Sequence, residues 1–371
     1  MKIIFFSNFL NHHQLPLCKE IISKVGEDNF CFVACQRIED ERVRMGYEDM
    51  NRKYPFVLRA YESKENMECA MLLAENAEVA IIGSALAIFA KIRAKNGKLT
   101  FLYRERIFKN GSWHRLLPTT AYVIHNEYSK YRNHNFYVLC ASAYMADDLE
   151  MCHFPRCKCL KWGYFPELLP RVNKKYDKLR IMWCGRMLWW KHPEDAIEVA
   201  RMLNAKNLDF EMKVIGNGQK RNEIERMVKK YDLQSKVQTY DFMSPTDIRR
   251  TMNESNVYLF TSGKQEGWGV VLNEAMNSGC VVIANNNAGS TPYLIQNEIN
   301  GLVYDGSRIG LQKAVDNLLS VDLQTVSEAA FRTIQEMWNP KVASERLICF
   351  CDKIMSNEKL NCEEGPCSFV K

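Results

Sequence analysis

Short apolar runs alternate with amphipathic segments in the first half of the chain, and this pattern predicts strands and helices in turn. The runs predicted to be strands are residues 2–7, 30–35, 56–59, 79–82, 100–103 and 137–140. The segments predicted to be helices are residues 15–25, 64–75, 85–96 and a long one over 116–131. Such alternation is typical of an α/β domain whose mostly parallel sheet is covered by helices on both faces.

The alternation stops at residues 162–177 and then restarts, so we expect a domain over 1–161, a linker over 162–177 and a second domain over 178–341. The predicted strands of the second half are residues 180–184, 210–215, 237–240, 257–260 and 281–284, and its predicted helices are 193–203, 220–231, 245–252 and 269–277. The predicted fold class is α/β, with two Rossmann-like domains facing each other across a cleft. Residues 342–357 are predicted to be a helix, and 358–371, which lack periodicity, a disordered tail.

Composition narrows the class of protein. The chain has 371 residues, of which 47% are hydrophobic and 25% charged, and this excludes a disordered or collagenous chain. The net charge of +6 is too small to indicate nucleic-acid binding by itself. The longest apolar stretch without a charge is the twelve residues 79–90, whereas a membrane-spanning helix needs about 20. Since the N-terminus also lacks the apolar core of a signal peptide, we expect a cytoplasmic protein.

The first candidate ligand site follows the predicted strand 180–184. Gly185 and Arg186 come directly after this strand, and Lys191 lies just before the helix predicted at 193. Two cations beside the free backbone N–H groups of a helix start form an anion site, although both could equally be solvated surface residues. A second glycine-rich turn, Gly216-Asn217-Gly218, follows the predicted strand 210–215 and is a weaker indication of a ligand loop.

The most specific motif pairs two carboxylates eight residues apart, Glu266 and Glu274. Glu266 lies in the loop after a predicted strand, and Glu274 lies on the helix that follows. The segment between them is glycine-rich at its start and leaves N–H groups open for a phosphate. Its candidate binding residues are Gly267, Trp268, Gly269 and Val270. Two helix-surface glutamates are the alternative, but Glu274 is flanked by apolar residues, which argues against it.

These motifs together resemble the retaining glycosyltransferases of the GT-B fold, specifically family 4. The E-x7-E signature of that family falls on Glu266 and Glu274, and its diphosphate-binding Arg/Lys pair falls on Arg186 and Lys191. The Trp-Gly-Tyr-Phe-Pro sequence that opens the linker and the Asn-His-His-Gln sequence at 11–14 look like a branch that builds bacterial surface polysaccharides. The resemblance covers residues 2 to about 350.

The resemblance implies a nucleotide-diphospho-sugar donor, most commonly a UDP-sugar in this fold, held mainly by the C-terminal half. Glu274 would bind the ribose hydroxyls and Glu266 the hydroxyls of the donor sugar. Arg186 and Lys191 would neutralise the leaving diphosphate, and the transfer would proceed on one face without a protein nucleophile. The resemblance further implies that the helix at 342–357 crosses back to the first domain.

The acceptor is expected to bind the first domain and to be a glycan or a lipid-linked sugar. Candidate acceptor-binding residues are His13 in the histidine pair, Arg104 and Glu105 at a strand end, and His125 on the long predicted helix. Residues 91–134 carry ten Lys or Arg against two acids, a balance of +8 (10 − 2). This segment also contains Trp113, so it is either a contact with an anionic membrane surface or an ordinary solvated face.

The sequence contains no D-x-D, the metal-chelating element of the other common transferase fold, so we expect transfer without a metal or another cofactor. Two alternatives stay open. A sugar-nucleotide epimerase or a phosphorylase shares the architecture, and an epimerase would form its product without an acceptor. A non-catalytic subunit that resembles a transferase is a different class of protein. No nucleic-acid motif is present, so we expect no nucleic-acid partner.

Overall fold

The computed structural model describes residues 1–39, 43, 46, 48–359 and 362–371. These residues form two compact units. Unit 1 consists of Met1–Glu167 together with Trp338–Lys371, and unit 2 is the continuous segment Leu168–Met337. The chain passes from one unit to the other within the segment predicted to be a linker.

Within its described residues, unit 1 contains one parallel sheet of seven strands in the order β3-β2-β1-β4-β5-β6-β7. The strands are β1 (Ile3–Ser7), β2 (Phe30–Ala34), β3 (Val57–Arg59), β4 (Val79–Ile82), β5 (Leu99–Arg104), β6 (Phe136–Cys140) and β7 (Cys159–Lys161). Every residue of β1 and of β4 is buried, because helices cover both faces of the sheet. The strand order reverses between β1 and β4, which makes their carboxyl ends the switch point of a doubly wound sheet.

The helices that connect these strands are α1 (Leu15–Val25), α2 (Met50–Lys53), α3 (Lys64–Asn76), α4 (Ala87–Lys95), α5 (Pro118–Glu127) and α6 (Met145–Glu150). The long helix predicted over 116–131 is wrong. This stretch is divided into a 3₁₀ segment at Ser112–Leu116, α5, and a second 3₁₀ segment at Ser129–Tyr131. The residue before a proline disfavours helical backbone, and Leu117, at ψ 129°, is extended before Pro118.

Unit 2 repeats the doubly wound arrangement. Its described residues form a six-stranded parallel sheet in the order β10-β9-β8-β11-β12-β13. The strands are β8 (Leu179–Cys184), β9 (Phe210–Ile215), β10 (Val237–Tyr240), β11 (Val257–Phe260), β12 (Val281–Asn285) and β13 (Leu302–Tyr304). The reversal of strand order here lies between β8 and β11, so their carboxyl ends mark the switch point of unit 2.

The helices of unit 2 are α7 (Pro193–Ala205), α8 (Arg221–Lys230), α9 (Pro245–Glu254), α10 (Val271–Asn277), α11 (Thr291–Leu294), α12 (Arg308–Leu318) and α13 (Leu323–Arg332). Helix α7 begins at Pro193 as predicted and buries an apolar stripe that includes Ala196, Ile197 and Ala200. The sequence reasoning assigned no element to β13, α12 or α13, which complete the far side of this unit.

The last helix, α14 (Pro340–Met355), belongs to unit 1. Its Phe350 packs edge-on against Phe101 of β5 and Tyr137 of β6, at ring-centroid distances of 5.8 and 5.1 Å. Its Glu345 accepts a hydrogen bond of 2.8 Å from Lys24 at the end of α1. These contacts bring the C-terminal segment onto the sheet formed by the N-terminal residues.

The described part of the C-terminal tail, residues 362–371, corrects the expectation of disorder. The backbone N–H of Lys161 donates to the carbonyl of Ser368 at 2.7 Å, and the N–H of Cys367 donates to the carbonyl of Lys161 at 2.9 Å. Phe369 forms an antiparallel bridge with Leu160 in β7. The tail lacks periodicity because it pairs with a sheet edge over a few residues, which is too short a segment to leave a repeating pattern.

Candidate functional site

The candidate site of unit 2 begins where the loops after β8 and β9 pass very close to each other. A Cβ atom at Gly216 would lie 1.9 Å from the carbonyl oxygen of Gly185, and one at Gly218 would lie 2.8 Å from that of Met187. Both Gly216 and Gly218 have positive φ, at 135° and 147°. Glycine is required at these two positions because no side chain fits between the two backbones.

Asn217 stands between these glycines with an exposed side chain. Its Oδ1 accepts a hydrogen bond of 2.7 Å from the N–H of Gly218, and its Nδ2 donates to Asp241 at 3.1 Å. The carboxamide therefore fixes the shape of the turn. The turn serves as a frame for the neighbouring loop that carries Arg186.

Threonine 261 ties the loop after β11 to the loop after β8. The hydroxyl of Thr261 donates to the carbonyl of Lys191 at 2.6 Å and accepts from Nε1 of Trp183 at 2.8 Å. The N–H of Gly263 donates to the carbonyl of Trp190 at 2.7 Å. These bonds place Lys191 and Glu266, which are 75 residues apart in sequence, at the same switch point.

Lys191 and Glu266 form a direct ion pair through Nζ and Oε2. Their side chains are 18% and 16% exposed, so both charges are partly withdrawn from water while still accessible to a ligand. Arg186, by contrast, is exposed and has no ion-pair partner among the described residues. The site thus has two cations after the carboxyl end of β8. The charge of Lys191 is balanced by Glu266, and the charge of Arg186 is not balanced by an ion-pair partner among the described residues.

Gly269 sets the start of the helix that carries Glu274. Its φ is +84°, and a Cβ there would lie 2.4 Å from Cζ of Phe260, so only glycine fits. Because this backbone conformation is not helical, α10 begins at Val271, two residues later than predicted. Val270 occupies the N-cap position, and Glu274 lies in the first turn, where the helix dipole favours an acidic side chain.

The Glu274 carboxyl has an unusual pKa. Burial raises the pKa of Glu274 to about 7, because desolvation disfavours the charged carboxylate. Asn273 and Ala275, its neighbours on the helix, are fully buried. A glutamate in such surroundings is typical of a functional site rather than of a helix surface.

Two residues of the predicted binding loop have structural roles. The Trp268 side chain is 0% exposed, and its Nε1 donates to Oδ1 of Asn273 at 2.8 Å, so the indole cannot contact a ligand at the surface. The carbonyl of Trp268 accepts from the hydroxyl of Ser290 at 2.6 Å. Gly267 is buried beside it. The Trp268 indole anchors the loop, and the assignment of this residue to nucleotide-sugar binding stays a prediction.

The sequence analysis missed His192. This residue has left-handed backbone, with φ 45° and ψ 54°, an uncommon conformation for a residue with a side chain and one that often marks a functional loop. Its Nδ1 lies 3.2 Å from Oε1 of Glu194, and this hydrogen bond raises the pKa of His192. Lys220 also pairs with Glu194, at 2.8 Å. The position of His192 between Lys191 and Pro193, where α7 begins, was the signal in the sequence that could have identified this residue.

The candidate acceptor residues of unit 1 differ in their surroundings. The Nη1 of Arg104 donates to the carbonyls of Ile82 and Gly83, at 2.7 and 2.5 Å, so this guanidinium caps the end of β4. Glu105 accepts from Lys109 at 2.7 Å and from the hydroxyl of Tyr164 at 3.2 Å.

Arg104 and Glu105 line one cavity at the switch point of unit 1. The ring of His13 lies 6.4 Å from that of Tyr164, which lines the same cavity. His125 is exposed on α5 and does not line it.

The basic segment 91–134 is less exposed than its composition indicates. Arg93 is 0% exposed, and its guanidinium donates to the carbonyls of Ala74, Ala77, Glu78 and Leu99. Arg93 and Arg104 therefore serve the fold of unit 1 rather than a surface. The exposed part of the segment combines Arg115 with large apolar side chains, namely Trp113, Leu116, Leu117, Tyr122 and Val123.

None of the described helices in either unit combines the length and the apolar character that a membrane-spanning helix requires.

Comparison with curated proteins finds glycosyltransferases of polysaccharide biosynthesis. The chain is 28% identical over 206 residues to the amylovoran biosynthesis glycosyltransferase AmsK of Erwinia amylovora, covering 53% of this chain and 50% of AmsK. It is 24% identical over 185 residues to the putative colanic acid biosynthesis glycosyltransferase WcaL of Escherichia coli K12, covering 47% and 45%. The alignments thus span about half the length of these relatives.

Solved structures with a similar fold cover nearly the whole chain. The Alr3699/HepE protein of Anabaena, solved in complex with UDP, matches with a TM-score of 0.66 and 13% identity over 96% of this chain and 100% of that one. The lipopolysaccharide outer core galactosyltransferase WaaB matches with a TM-score of 0.66 and 15% identity over the same shares. These likenesses, with the two doubly wound sheets, show the GT-B fold.

The family comparison falls on unit 2. Residues 165–330 match the family model described as Glycosyl transferases group 1. This range includes both glycine turns, Arg186, Lys191, Glu266 and Glu274. This part of the chain is therefore similar to the glycosyltransferase group 1 family, and the switch point of unit 2 lies within the matched range.

Proposed function

We propose that this chain is a retaining glycosyltransferase that moves a sugar from a nucleotide-diphospho-sugar to a glycan or lipid-linked acceptor in polysaccharide biosynthesis. The observation that carries the proposal is the meeting of Lys191 and Glu266 at the switch point of unit 2, with Arg186 exposed beside them. Ligands of doubly wound sheets bind at such points. The names of the relatives and the matched domain support the class of reaction.

In this proposal, Arg186 and Lys191 bind the diphosphate. Negative charge grows on the leaving oxygen as the bond to the sugar breaks, and preorganised cations stabilise this charge in the transition state. Arg186 can contact two phosphate oxygens through its planar guanidinium, whereas Lys191 supplies a compact charge. We propose that these two cations replace a metal ion, and that transfer requires no other cofactor.

The two carboxylates bind the remaining two parts of the donor, the ribose and the sugar. Glu274 accepts hydrogen bonds from the ribose hydroxyls, and Glu266 accepts them from the hydroxyls of the donor sugar. The backbone N–H groups of Gly269 and Val270, at the start of α10, would add donors for a phosphate. UDP is the favoured nucleotide, because a protein of the same fold, Alr3699/HepE, was solved with UDP.

A membrane surface is the proposed location of the acceptor. The exposed apolar side chains of residues 113–123 include Leu116 at 76% and Tyr122 at 71% exposure. Residues 109–132 carry four Lys or Arg and one acid. Apolar side chains flanked by cations favour binding at the interface of an anionic bilayer, and we propose that the chain acts at the cytoplasmic face of a membrane.

The test combines two measurements. UDP and UDP-sugars are titrated into the protein, and turnover is measured in excess chelator. We expect Glu266→Ala to abolish most transfer while affinity for UDP stays near that of the parent. We expect Glu274→Ala to weaken UDP binding, because its partner is the ribose. Glu211→Ala, on a partly exposed strand position of the same unit, is the matched control.

Four outcomes would contradict the proposal. Transfer at the parent rate by Glu266→Ala would mean that the carboxylate pair is not part of the site. Loss of activity in chelator, restored by Mn²⁺ or Mg²⁺, would contradict the metal-free mechanism. Release of an epimerised sugar nucleotide without acceptor would favour an epimerase, and binding without any turnover would favour a non-catalytic subunit.

A further inference from the structure

Unit 1 has its own cavity at the switch point of its sheet, between the carboxyl ends of β1 and β4. The cavity has a volume of about 300 Å³, at the lower end of the range for small-molecule sites. Ser7 is the last residue of β1, Asn8 follows it, and Gly83 follows β4. The same topological rule that places the donor site in unit 2 thus places a second ligand site within unit 1.

The loop that forms one wall of this cavity is firmly held. The N–H of Leu10 donates to Oδ1 of Asn51 at 2.9 Å, and Asn51 is fully buried. The carbonyl of Asn8 accepts from the N–H of Gln36 at 2.7 Å. Oδ1 of Asn11 accepts from the N–H groups of His13 and Gln14, at 3.0 and 3.1 Å, and so holds the turn that precedes α1. The wall is preorganised although it contains no glycine.

The charges in the cavity balance. Arg104 and Glu105 are its charged lining residues, and their formal charges cancel. Nη1 of Arg104 is already committed to backbone carbonyls. Each carboxylate oxygen of Glu105 accepts a hydrogen bond, one from Lys109 and one from Tyr164, and a carboxylate can accept about four, so Glu105 retains capacity for ligand hydroxyls. The cavity therefore lacks the surplus of positive charge that a pyrophosphate group needs.

Gln14 gives independent evidence that a ligand belongs here. This residue lines the cavity and is only 6% exposed. Its Nε2 donates to the hydroxyl of Ser7 at 3.3 Å, whereas its Oε1 has no hydrogen-bond partner within the described residues. If the amide were turned around, Nε2 would be the unpaired end instead. A buried amide with one unpaired end is costly unless a ligand completes it.

A hydroxyl group can pair with the unpaired end of the Gln14 amide whichever way the amide is turned, because a hydroxyl both donates and accepts hydrogen bonds. A phosphate oxygen can only accept, so it would suit one orientation alone. The rings of Tyr103 and Tyr164, with centroids 5.6 Å apart, add an apolar surface beside these polar groups. Hydroxyls with an apolar face between them are the chemistry of a sugar ring.

We propose that the unit 1 cavity binds an uncharged sugar residue of the acceptor, and that Gln14 and Glu105 contact its hydroxyls. The inference rests on the proposed function only for calling this sugar the acceptor. It assigns the recognised group to the glycan rather than to the pyrophosphate of a lipid carrier. Binding of the sugar by itself does not depend on catalysis, so the two proposals can fail separately.

The experiment uses the full chain with UDP in excess, so that the unit 2 site is filled. Glucose, galactose and N-acetylglucosamine are tested in turn by saturation-transfer difference NMR. We expect transfer of saturation to the ring protons of at least one sugar. We expect Gln14→Leu, of nearly the same shape, to weaken this binding about tenfold, the effect of one hydrogen bond. Gln296→Leu, at an exposed position of unit 2, should leave it unchanged.

Glu105→Gln provides a second variant, because this side chain is partly exposed and its replacement keeps the shape of the residue. We expect weaker sugar binding and stronger binding of inorganic pyrophosphate, since the substitution leaves Arg104 uncompensated. The inference is overturned if no sugar binds, or if pyrophosphate displaces the sugar from the parent protein. Failure of UDP to bind would contradict the proposed function instead and would leave the sugar result readable.

Discussion

At the scale of single residues, the pair of Lys191 and Glu266 means that the two groups proposed for different parts of the donor hold each other without it. A donor diphosphate that approaches Lys191 would compete with the Glu266 carboxylate for the ammonium group, and a carboxylate released in this way would be available for the sugar. The pair also keeps either charge from standing alone in a partly buried position.

Lys191→Ala should lower kcat by about 10²–10³, because charge on the leaving oxygen grows only in the transition state. It should weaken UDP-sugar binding by a smaller factor. Steady-state kinetics with the donor varied separates the two effects. Lys213→Ala, which removes a cation from an exposed pair with Glu254 in the same unit, is the control. A loss confined to KM would contradict a role in the transition state.

Glu274 should give UDP binding a characteristic dependence on pH. Its pKa of about 7 in the folded chain lies well above the usual value, so the carboxylate is mostly protonated at pH 6 and mostly ionised at pH 8. Because the ionised form accepts hydrogen bonds from ribose, affinity for UDP should fall about tenfold for each pH unit below 7. Titrations on the parent and on Glu274→Gln test this, since the variant removes only this group. The same dependence in both would exclude Glu274.

The raised pKa of Glu274 also affects stability, with a definite sign. Below its unfolded value both states carry the proton, and no cost arises. As the pH rises from there to about 7, the unfolded chain loses the proton and the folded chain keeps it, so the contribution of Glu274 to folding becomes unfavourable.

At the scale of elements, the sequence predicted the buried strands well and the irregular segments poorly. Strands such as β4 and β11 were predicted with the observed bounds, because burial on both faces requires continuous apolar runs. Strands β7 and β13 were missed, since each has only three residues. The helix predicted over 116–131 was wrong because local backbone restriction at Pro118 outweighed the apparent periodicity.

The site residues also differ in whether the sequence could identify them. Arg186, Lys191, Glu266 and Glu274 could be chosen from the sequence because they stand in fixed positions relative to strand ends. The role of Trp268 could not, since burial depends on packing against other segments. Likewise, nothing in the order of residues indicates that Gln14 has one unpaired end.

The exposed apolar residues around α5 should bind anionic membranes. Vesicles containing phosphatidylglycerol should sediment the protein at low salt and release it at 1 M salt, where the Debye length is about 3 Å. Leu116→Ser should reduce sedimentation several-fold, because Leu116 is 76% exposed and would enter the interface. Ile309→Ser is a matched control, since Ile309 is 73% exposed in unit 2. Equal loss in both variants, or no sedimentation at low salt, would contradict this surface.

At the scale of the whole molecule, unit 1 depends on residues from both ends of the described chain. Deletion of residues 362–371 removes three backbone hydrogen bonds to β7 and the buried Cys367. The melting temperature of unit 1 should fall by roughly 5 °C or more, since each bond contributes about 1 kcal/mol.

The truncated chain should be compared with Glu363→Ala, which changes only an exposed side chain of the tail. Calorimetry reports the transition, and titration with UDP reports unit 2, whose affinity should not change. An unaltered melting temperature would mean that the tail is a passive extension. A loss of UDP affinity would mean that the truncation acts beyond unit 1.

The division of unit 1 into Met1–Glu167 and Trp338–Lys371 fixes an order of events during synthesis on the ribosome. Between these segments the ribosome must translate the 170 residues of Leu168–Met337, which takes roughly 10–30 s at the usual rates of elongation. During this interval the nascent sheet of unit 1 lacks α14 and exposes the rings of Phe101 and Tyr137. Unit 2, being continuous, can fold first. Chaperones that shield apolar surface on emerging chains should therefore act chiefly on the first half of this protein.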